Sequence, residues 1–361
     1  MGNDLNQEVA RAGEPDLVVG LDAGGTRTRA LLAPASGAAG GRVLGEGTAG
    51  PGNALTVPEP RLVEHLAEAL GAAVPESARG RVTAVAGGFA GATSASPDDP
   101  GSVRARTALT AALDRLGIPA GPPGIWSDIE AAFASAPGTP ADGLALVAGT
   151  GAVAMRISDR RATTTVDGDG WLLGDEGSGF WIGRGAVRAA LRMADGRGPA
   201  TLLALSVGRA LGLPGEVLPG GVPTGEVPTG EVSPGEVLPG DGWSREGREA
   251  YRMHLLPTVM AEPPVRLARF APLVAEAARR HDAVAAALLD RAAEHLADTV
   301  RALEPRPGER IVATGGLLGP EGPLDGPLNS RLHAHALTLD WVPDGCQGAV
   351  ALARLDRGRR R

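Results

Sequence analysis

The sequence predicts an α/β protein built as two lobes with a cleft between them, and three observations carry that prediction. The chain has 361 residues, enough for two hydrophobic cores rather than one. Short apolar runs that stop at glycine alternate with stretches of helical apolar spacing, as strands and helices do in α/β folds. One arrangement, an apolar strand followed by a Gly-Thr turn and a second strand, occurs at Leu17–Ala33 and again at Gly143–Ile157, which implies two related lobes.

Residues 1–16 read as a polar, acidic leader. The run LVVGLD at 17–22, the turn Ala23-Gly24-Gly25-Thr26 and the apolar stretch at 30–33 read as a hairpin at a sheet edge. Apolar spacing predicts a helix over 61–71, and RVTAVA at 81–86 is a strand stopped by Gly87-Gly88. A helix over 103–116 ends at Gly117, and a short strand at 125–128 runs into a helix over 129–135. Lobe one is thus expected at 17–137, completed by the small-residue helix at 345–361. Lobe two is expected at 138–344.

In lobe two, GLALVA at 143–148 ends in Gly149-Thr150-Gly151 and resumes at 153–157. A helix is expected over 180–193, further helices through 274–303, and a strand at 310–314 before the turn Gly315-Gly316. Residues 214–240 repeat a Pro-x-Gly-Glu-Val pentamer, which predicts a disordered surface insertion.

Composition excludes several functions. A net charge of −7 argues against nucleic-acid or anionic-membrane partners, which require clustered positive charge; the basic run Arg357, Arg359, Arg360, Arg361 reads as a solvated terminus. No apolar run reaches membrane-spanning length, and with one cysteine, Cys346, no internal disulfide can form. A soluble, cytoplasmic protein is expected; a homodimer is left open. There is no lysine, so all 35 basic residues are arginine. That removes the Walker-type phosphate loop, the protein-kinase architecture and Schiff-base chemistry. The histidines form no three-ligand set and read as structural or surface residues.

Three turns carry chemistry. Gly24, Gly25 and Thr26 offer backbone N–H groups and a hydroxyl to a polyphosphate, and Asp22 at the strand end is placed to hold Mg²⁺ through water. Gly149, Thr150 and Gly151 repeat the device, so two turns can close on one phosphate chain. Gly315 and Gly316 follow a third strand and leave room for an adenosine against the backbone. Asp128, a carboxylate between the two phosphate turns in sequence, suits a general base, with helix capping as the alternative.

These residues together resemble the actin/Hsp70/sugar-kinase superfamily, whose lobes are actin-like (ribonuclease H-like). The segment GDGWLLGDEGSGFWIG at 168–183 resembles the signature of N-acetylglucosamine kinases within the BadF/BadG/BcrA/BcrD ATPase family. The resemblance covers about residues 17–357 apart from the pentamer repeat. It implies an ATP- and Mg²⁺-dependent kinase acting on a small amino sugar. It places Thr26 and Thr150 at ATP phosphates, Gly315 and Gly316 at adenosine, and Asp128 as general base. Asn53, Gly168, Asp169, Gly170 and Asp175 become ligands of the sugar. Asp169 and Ala54 depart from the residues of the animal enzyme, which leaves the exact sugar open, glucosamine and other N-acetylhexosamines included. An activator ATPase of the same family would need a thiolate-ligated cluster, and one cysteine per chain cannot supply four thiolates even in a dimer. A non-catalytic sugar sensor with a DNA-binding module does not suit the short acidic leader.

Overall fold

The computed structural model describes residues 15–37, 41–93, 96, 98–220 and 243–359. Lobe one is a five-stranded sheet ordered β3-β2-β1-β4-β5. Its strands are β1 (Leu17–Ala23), β2 (Thr28–Pro34), β3 (Gly45–Ala49), β4 (Val82–Phe89) and β5 (Gly124–Ser127). β1 is antiparallel to β2 and parallel to β4, so it is the central strand and not part of an edge hairpin. Its sequence shows why: Leu17, Val19 and Leu21 face one core and Val18 faces another, leaving no polar side.

Helices α1 (Glu59–Ala73) and α3 (Pro100–Leu116) cover the first face through Leu62, Leu66, Leu70 and Leu109. A one-turn helix, α2 (Glu76–Arg79), lies between them in sequence. Asp99 caps α3 by accepting from the Ser102 N–H, and Gly117 ends it in a left-handed conformation.

After β5 comes α4 (Asp128–Ala134). Lobe two then repeats the first topology: β6 (Gly143–Ala148), β7 (Ala152–Ser158), β8 (Arg161–Asp167), β9 (Arg310–Thr314) and β10 (Thr338–Trp341), ordered β10-β9-β6-β7-β8. Read from the other edge this is the order of lobe one. Its larger core is covered by α5 (Gly179–Ala194), α6 (Leu202–Ala210), α7 (Arg245–Met260), α8 (Ala271–Arg279) and α9 (Ala283–Arg301), with α10 (Asp325–His333) before β10. Tyr251 is fully buried there, its hydroxyl donating to the Ala204 carbonyl at 2.7 Å.

The last helix, α11 (Cys346–Arg359), returns to sheet one. A Cβ on Gly20 of β1 would run into the α11 backbone at Cys346 and Val350, so glycine there sets the helix-to-strand distance. Phe133 and Ala132 of α4 pack instead on sheet two, beside Ala145 and Val312. The two helices therefore cross between the sheets, Gly348 of α11 lying on the Ala131 carbonyl of α4.

Two expectations change. The pentamer repeat is not wholly a surface insertion: Val217 and Leu218 are buried in lobe two, and the Trp243 indole donates to the Val217 carbonyl at 3.1 Å. Residues 221–240 of the repeat lie outside the described residues, as do 1–14 of the leader. Arg357 is not a free tail charge but pairs with Asp16; Arg360 and Arg361 lie outside the described residues. Among the described residues, no helix is long and apolar enough to cross a membrane.

Candidate active site

Each of the two candidate phosphate turns closes on itself. Gly24 N–H donates to the Arg27 carbonyl at 2.9 Å, and Gly149 N–H donates to the Gly151 carbonyl at 2.9 Å. Gly25 and Thr26 are exposed, with open space where a Gly25 side chain would be. The segment ending in Asn53 is pinned to this turn, since Gly52 N–H donates to the Gly24 carbonyl at 2.9 Å. Asn53 Oδ1 accepts from the N–H groups of Leu55 and Thr56 at 2.9 and 3.0 Å, which leaves its amide nitrogen without a hydrogen-bond partner among the described residues.

The second turn is fastened to α5: Gly149 and Thr150 carbonyls accept from Gly179 and Phe180 N–H at 2.8 and 3.0 Å. It is also fastened to the third turn. Gly315 has φ +106°, and a Cβ there would collide with the Ala148 carbonyl, so only glycine fits. Gly149, Thr150, Gly179, Gly316, Leu317 and Pro272 line one pocket of about 540 Å³, which also holds Arg279 and Glu321. Its walls are short or apolar and its rim is charged, which suits a nucleoside with its phosphates on the second turn.

Asp22 sits half-buried at the end of β1, accepting from Gly345 N–H at 3.2 Å. Burial pushes its carboxyl up to about 6; the Gly345 bond opposes this, while Asp344 and Asp128 add to it. Asp22, Asp344 and Cys346 bring their ligand atoms within 4.8 Å of one another. Asp344 is already paired with Arg29, and burial pushes the Cys346 thiol far up, so it stays protonated. The fit to a hard cation therefore rests on the Asp22 oxygens.

Asp128 is not the cap of α4. Ser127 Oγ accepts from Glu130 N–H at 3.1 Å and Glu130 accepts from Ser127 N–H at 2.9 Å, a complete capping box. Glu130 is fully buried and also accepts from Ala162 N–H at 3.0 Å and from Arg161 at 3.1 Å, which ties α4 to β8 of the other lobe. Arg161 in turn lies 3.5 Å over the Trp126 ring. The Asp128 carboxylate is left with backbone N–H groups of its own turn, Ile129 at 3.0 Å among them. Burial pushes its pKa upward, with Glu130 adding to the shift.

The loop from Gly168 to Gly177 is folded around a residue that the sequence reading passed over, Asp167. With φ +62°, it accepts from Gly168 and Asp175 N–H at 2.7 Å each and from Glu176 N–H at 2.9 Å. The run Asp167-Gly168-Asp169-Gly170 was the available signal, since Asp tolerates such turns and bonds nearby backbone. Asp175 is not a helix cap either: Ser178 caps α5, accepting from Trp181 N–H at 3.2 Å. Asp175 Oδ1 instead accepts from Ala152 N–H at 3.1 Å, just beyond the second phosphate turn. Burial raises its pKa, with Asp167 and Asp169 contributing. Gly170 and Asp169 stand at the outer part of the loop, and Asp169 is exposed.

The model of the BadF/BadG/BcrA/BcrD ATPase family matches residues 19–325. The chain belongs to this family. Its fold is shared by two solved bacterial proteins provisionally named N-acetylglucosamine kinases. That from Porphyromonas gingivalis is 18% identical, with a TM-score of 0.62 over 94% of this chain and 99% of that one. That from Chromobacterium violaceum is 22% identical, with a TM-score of 0.60 over the same shares. An N-acetylmuramic acid/N-acetylglucosamine kinase of Clostridium acetobutylicum is 37% identical over 62 residues, which is 17% of this chain. The match spans about a fifth of that relative's length. The protein is thus a member of the ATPase family with two actin-like lobes.

Proposed function

We propose that the protein is an ATP-dependent kinase that transfers the γ-phosphoryl group to a hydroxyl of an amino sugar, with N-acetylglucosamine giving N-acetylglucosamine 6-phosphate. One observation carries the reading. Ser127 and Glu130 perform the capping of α4, so the carboxylate of Asp128, the first residue after β5, bonds only backbone N–H groups of its own turn among the described residues and lies close enough to Asp22 to shift it.

Asp128 accepts the proton of the sugar hydroxyl as that oxygen forms its bond to the γ-phosphorus and the bond to ADP breaks. Thr26 and Thr150, with the N–H groups of their turns, hold the phosphates from the two lobes. Gly315 and Gly316 seat the adenosine. Asp22 would hold Mg²⁺ through water, and the ion supplies charge neutralisation on the phosphate oxygens. Asn53, Gly168, Asp169, Gly170 and Asp175 orient the sugar. A site that hydrogen-bonds each hydroxyl discriminates strongly against a substrate lacking one.

The deciding experiment measures ADP release with N-acetylglucosamine, glucosamine, N-acetylmannosamine and N-acetylmuramic acid, each against a no-sugar blank. N-acetylglucosamine is expected to give the highest kcat/KM. ADP release that no sugar stimulates refutes the kinase reading and leaves an ATPase.

A further inference from the structure

Between α5 and α9 lies a second pocket, of about 340 Å³, that shares no residue with the nucleotide pocket. Arg184, Arg188 and Arg192 of α5 line it, with Arg291 of α9. At four-residue spacing the three α5 arginines form one row, roughly 12 Å long at 1.5 Å per residue. Trp181 and Leu288 supply an apolar wall.

The charges there are unbalanced. Among the described residues, no carboxylate lines the pocket. The acids nearest in sequence are committed elsewhere: Asp290 and Glu294 of α9 pair with Arg331, Glu294 also pairs with Arg301, and Asp195 takes Arg197 and Arg252. Arg184 lies 5.3 Å over the Phe180 ring, and Arg192 donates to the Arg197 carbonyl at 3.0 Å. Arg188 and Arg291 have no hydrogen bond or ion pair among the described residues. Like charges in one row repel, and the helix dipole favours only the cation of the last turn, Arg192. A chain of net charge −7 that gathers four guanidiniums around one hollow has built a place for an anion.

We propose that this pocket binds a phosphate monoester of a small molecule and that its occupancy is felt at the Gly168–Gly177 loop. Planar guanidinium forks converging from two helices match a dianionic phosphate better than a single carboxylate. The small volume and the Trp181 wall fit a small carrier rather than a polyanion. The path to the loop is short. The Trp181 ring meets His295 edge-on with centroids 5.0 Å apart, and His295 Nδ1 lies 3.2 Å from a Glu176 carboxylate oxygen. Glu176 N–H donates to Asp167, the residue that organises the loop. The proposal does not depend on the reaction assigned above.

The test titrates the full chain by calorimetry, with the nucleotide pocket filled by a non-hydrolysable ATP analogue. The probes are inorganic phosphate and glucosamine 6-phosphate, with glucosamine as the control that lacks the phosphate. One-to-one binding to the wild type is expected, weakened about tenfold or more in Arg188→Ala/Arg291→Ala and unchanged in Arg115→Ala/Arg209→Ala, a charge-matched control on exposed helix positions. Tighter binding of the sugar phosphate identifies a phosphosugar as ligand, and equal binding identifies free phosphate. Hydrogen exchange at residues 168–177 should slow on addition of the tighter probe in the wild type and not in the double variant. Absence of phosphate binding, or equal binding by the double variant, overturns the site. So does a change in solution mass of the double variant without any phosphate effect, which would make the pocket a contact with a second copy. Unaltered exchange in the loop overturns the coupling.

Discussion

The turns after β1 and β6 occupy the same place in two sheets of the same strand order, yet their surroundings differ. In register, Ala23 pairs with Thr28 across the first turn and Ala148 with Ala152 across the second, so Asp22 corresponds to Val147. The first turn is open and stands beside two carboxylates, Asp22 and Asp128. The second lacks an acid at the matching strand position and is fastened by α5 and Gly315. The two turns share a strand frame, but Asp22 and Asp128 stand beside the first, and the pocket walled by Gly316 and Leu317 lies beside the second. If that division is right, changes in the two lobes should damage different kinetic constants.

The largest effect is expected at Asp128. Asp128→Asn should lower kcat by about 10²–10⁴-fold while nucleotide affinity, measured by calorimetry, stays near wild type. Because burial raises its pKa and the base must be ionised, the acid limb of kcat/KM should lie above the ordinary carboxylate range, with rate increasing as pH rises through it. Turnover within about threefold of wild type would move the base elsewhere.

Next comes the tie between the lobes. Glu130→Ala removes the acceptor of Ser127 N–H, Ala162 N–H and Arg161, so stability should fall by about 2–4 kcal/mol in urea denaturation. A change below about 0.5 kcal/mol would show that these groups find water without cost.

Asp22 should behave in the opposite way. Its folded-state pKa of about 6 lies above the ordinary aspartate value of 3.8, so the folded protein favours the protonated form and loses stability as pH rises from near 4 to 6. Asp22→Asn keeps an acceptor for Gly345 and removes the charge. At pH 7.5 without metal the variant should therefore be more stable, by up to about 3 kcal/mol, with the gain vanishing near pH 4. Phosphorylation should be lost at the same time. A less stable metal-free variant at pH 7.5 would contradict this account.

Much of this division was legible in the sequence because the strands that carry it are apolar on both faces. β6, at 143–148, and β9, at 310–314, were placed with their observed bounds, and β1 within one residue, each stopping at a following glycine. β3, β8 and β10 were missed, since GEGTA, RATTTVD and TLDW are edge strands whose outer groups face water and leave little apolar alternation to read. The glycine turns were readable for the same local reason as the strands. Arg161 and the bond of Glu130 to β8 were not, because no spacing along the chain reveals a carboxylate shared between α4 and β8; Asp167, whose partners lie within nine residues, carried a local signal in its Asp-Gly run that went unweighed. The helix over 103–116 began at Pro100, where Asp99 is the cap that propensity alone did not weigh.

The smallest predicted effect tests the border between the lobes' roles, at Asp175. Its carboxylate lies between the Gly168–Gly177 loop and the turn after β6, accepting from Ala152 N–H with Gly151 packed against it. If it orients the sugar, Asp175→Ala removes a charge-assisted hydrogen bond, and kcat/KM for the sugar should fall about tenfold or more, on the order of 1.5–3 kcal/mol. The KM for ATP should stay within about twofold, because the turn keeps its bonds to Gly179 and Phe180. If Asp175 serves mainly to brace the turn, the pattern reverses: ATP binding weakens with the loss of the Ala152 bond, and the sugar constants move only in proportion. Capping of α5 is no longer a third explanation, since Ser178 performs it. Steady-state kinetics with each substrate varied in turn therefore separates a ligand from a brace. A change in the ATP constant alone would assign Asp175 to the nucleotide side and leave Asn53 and the Gly168–Gly170 turn to recognise the sugar.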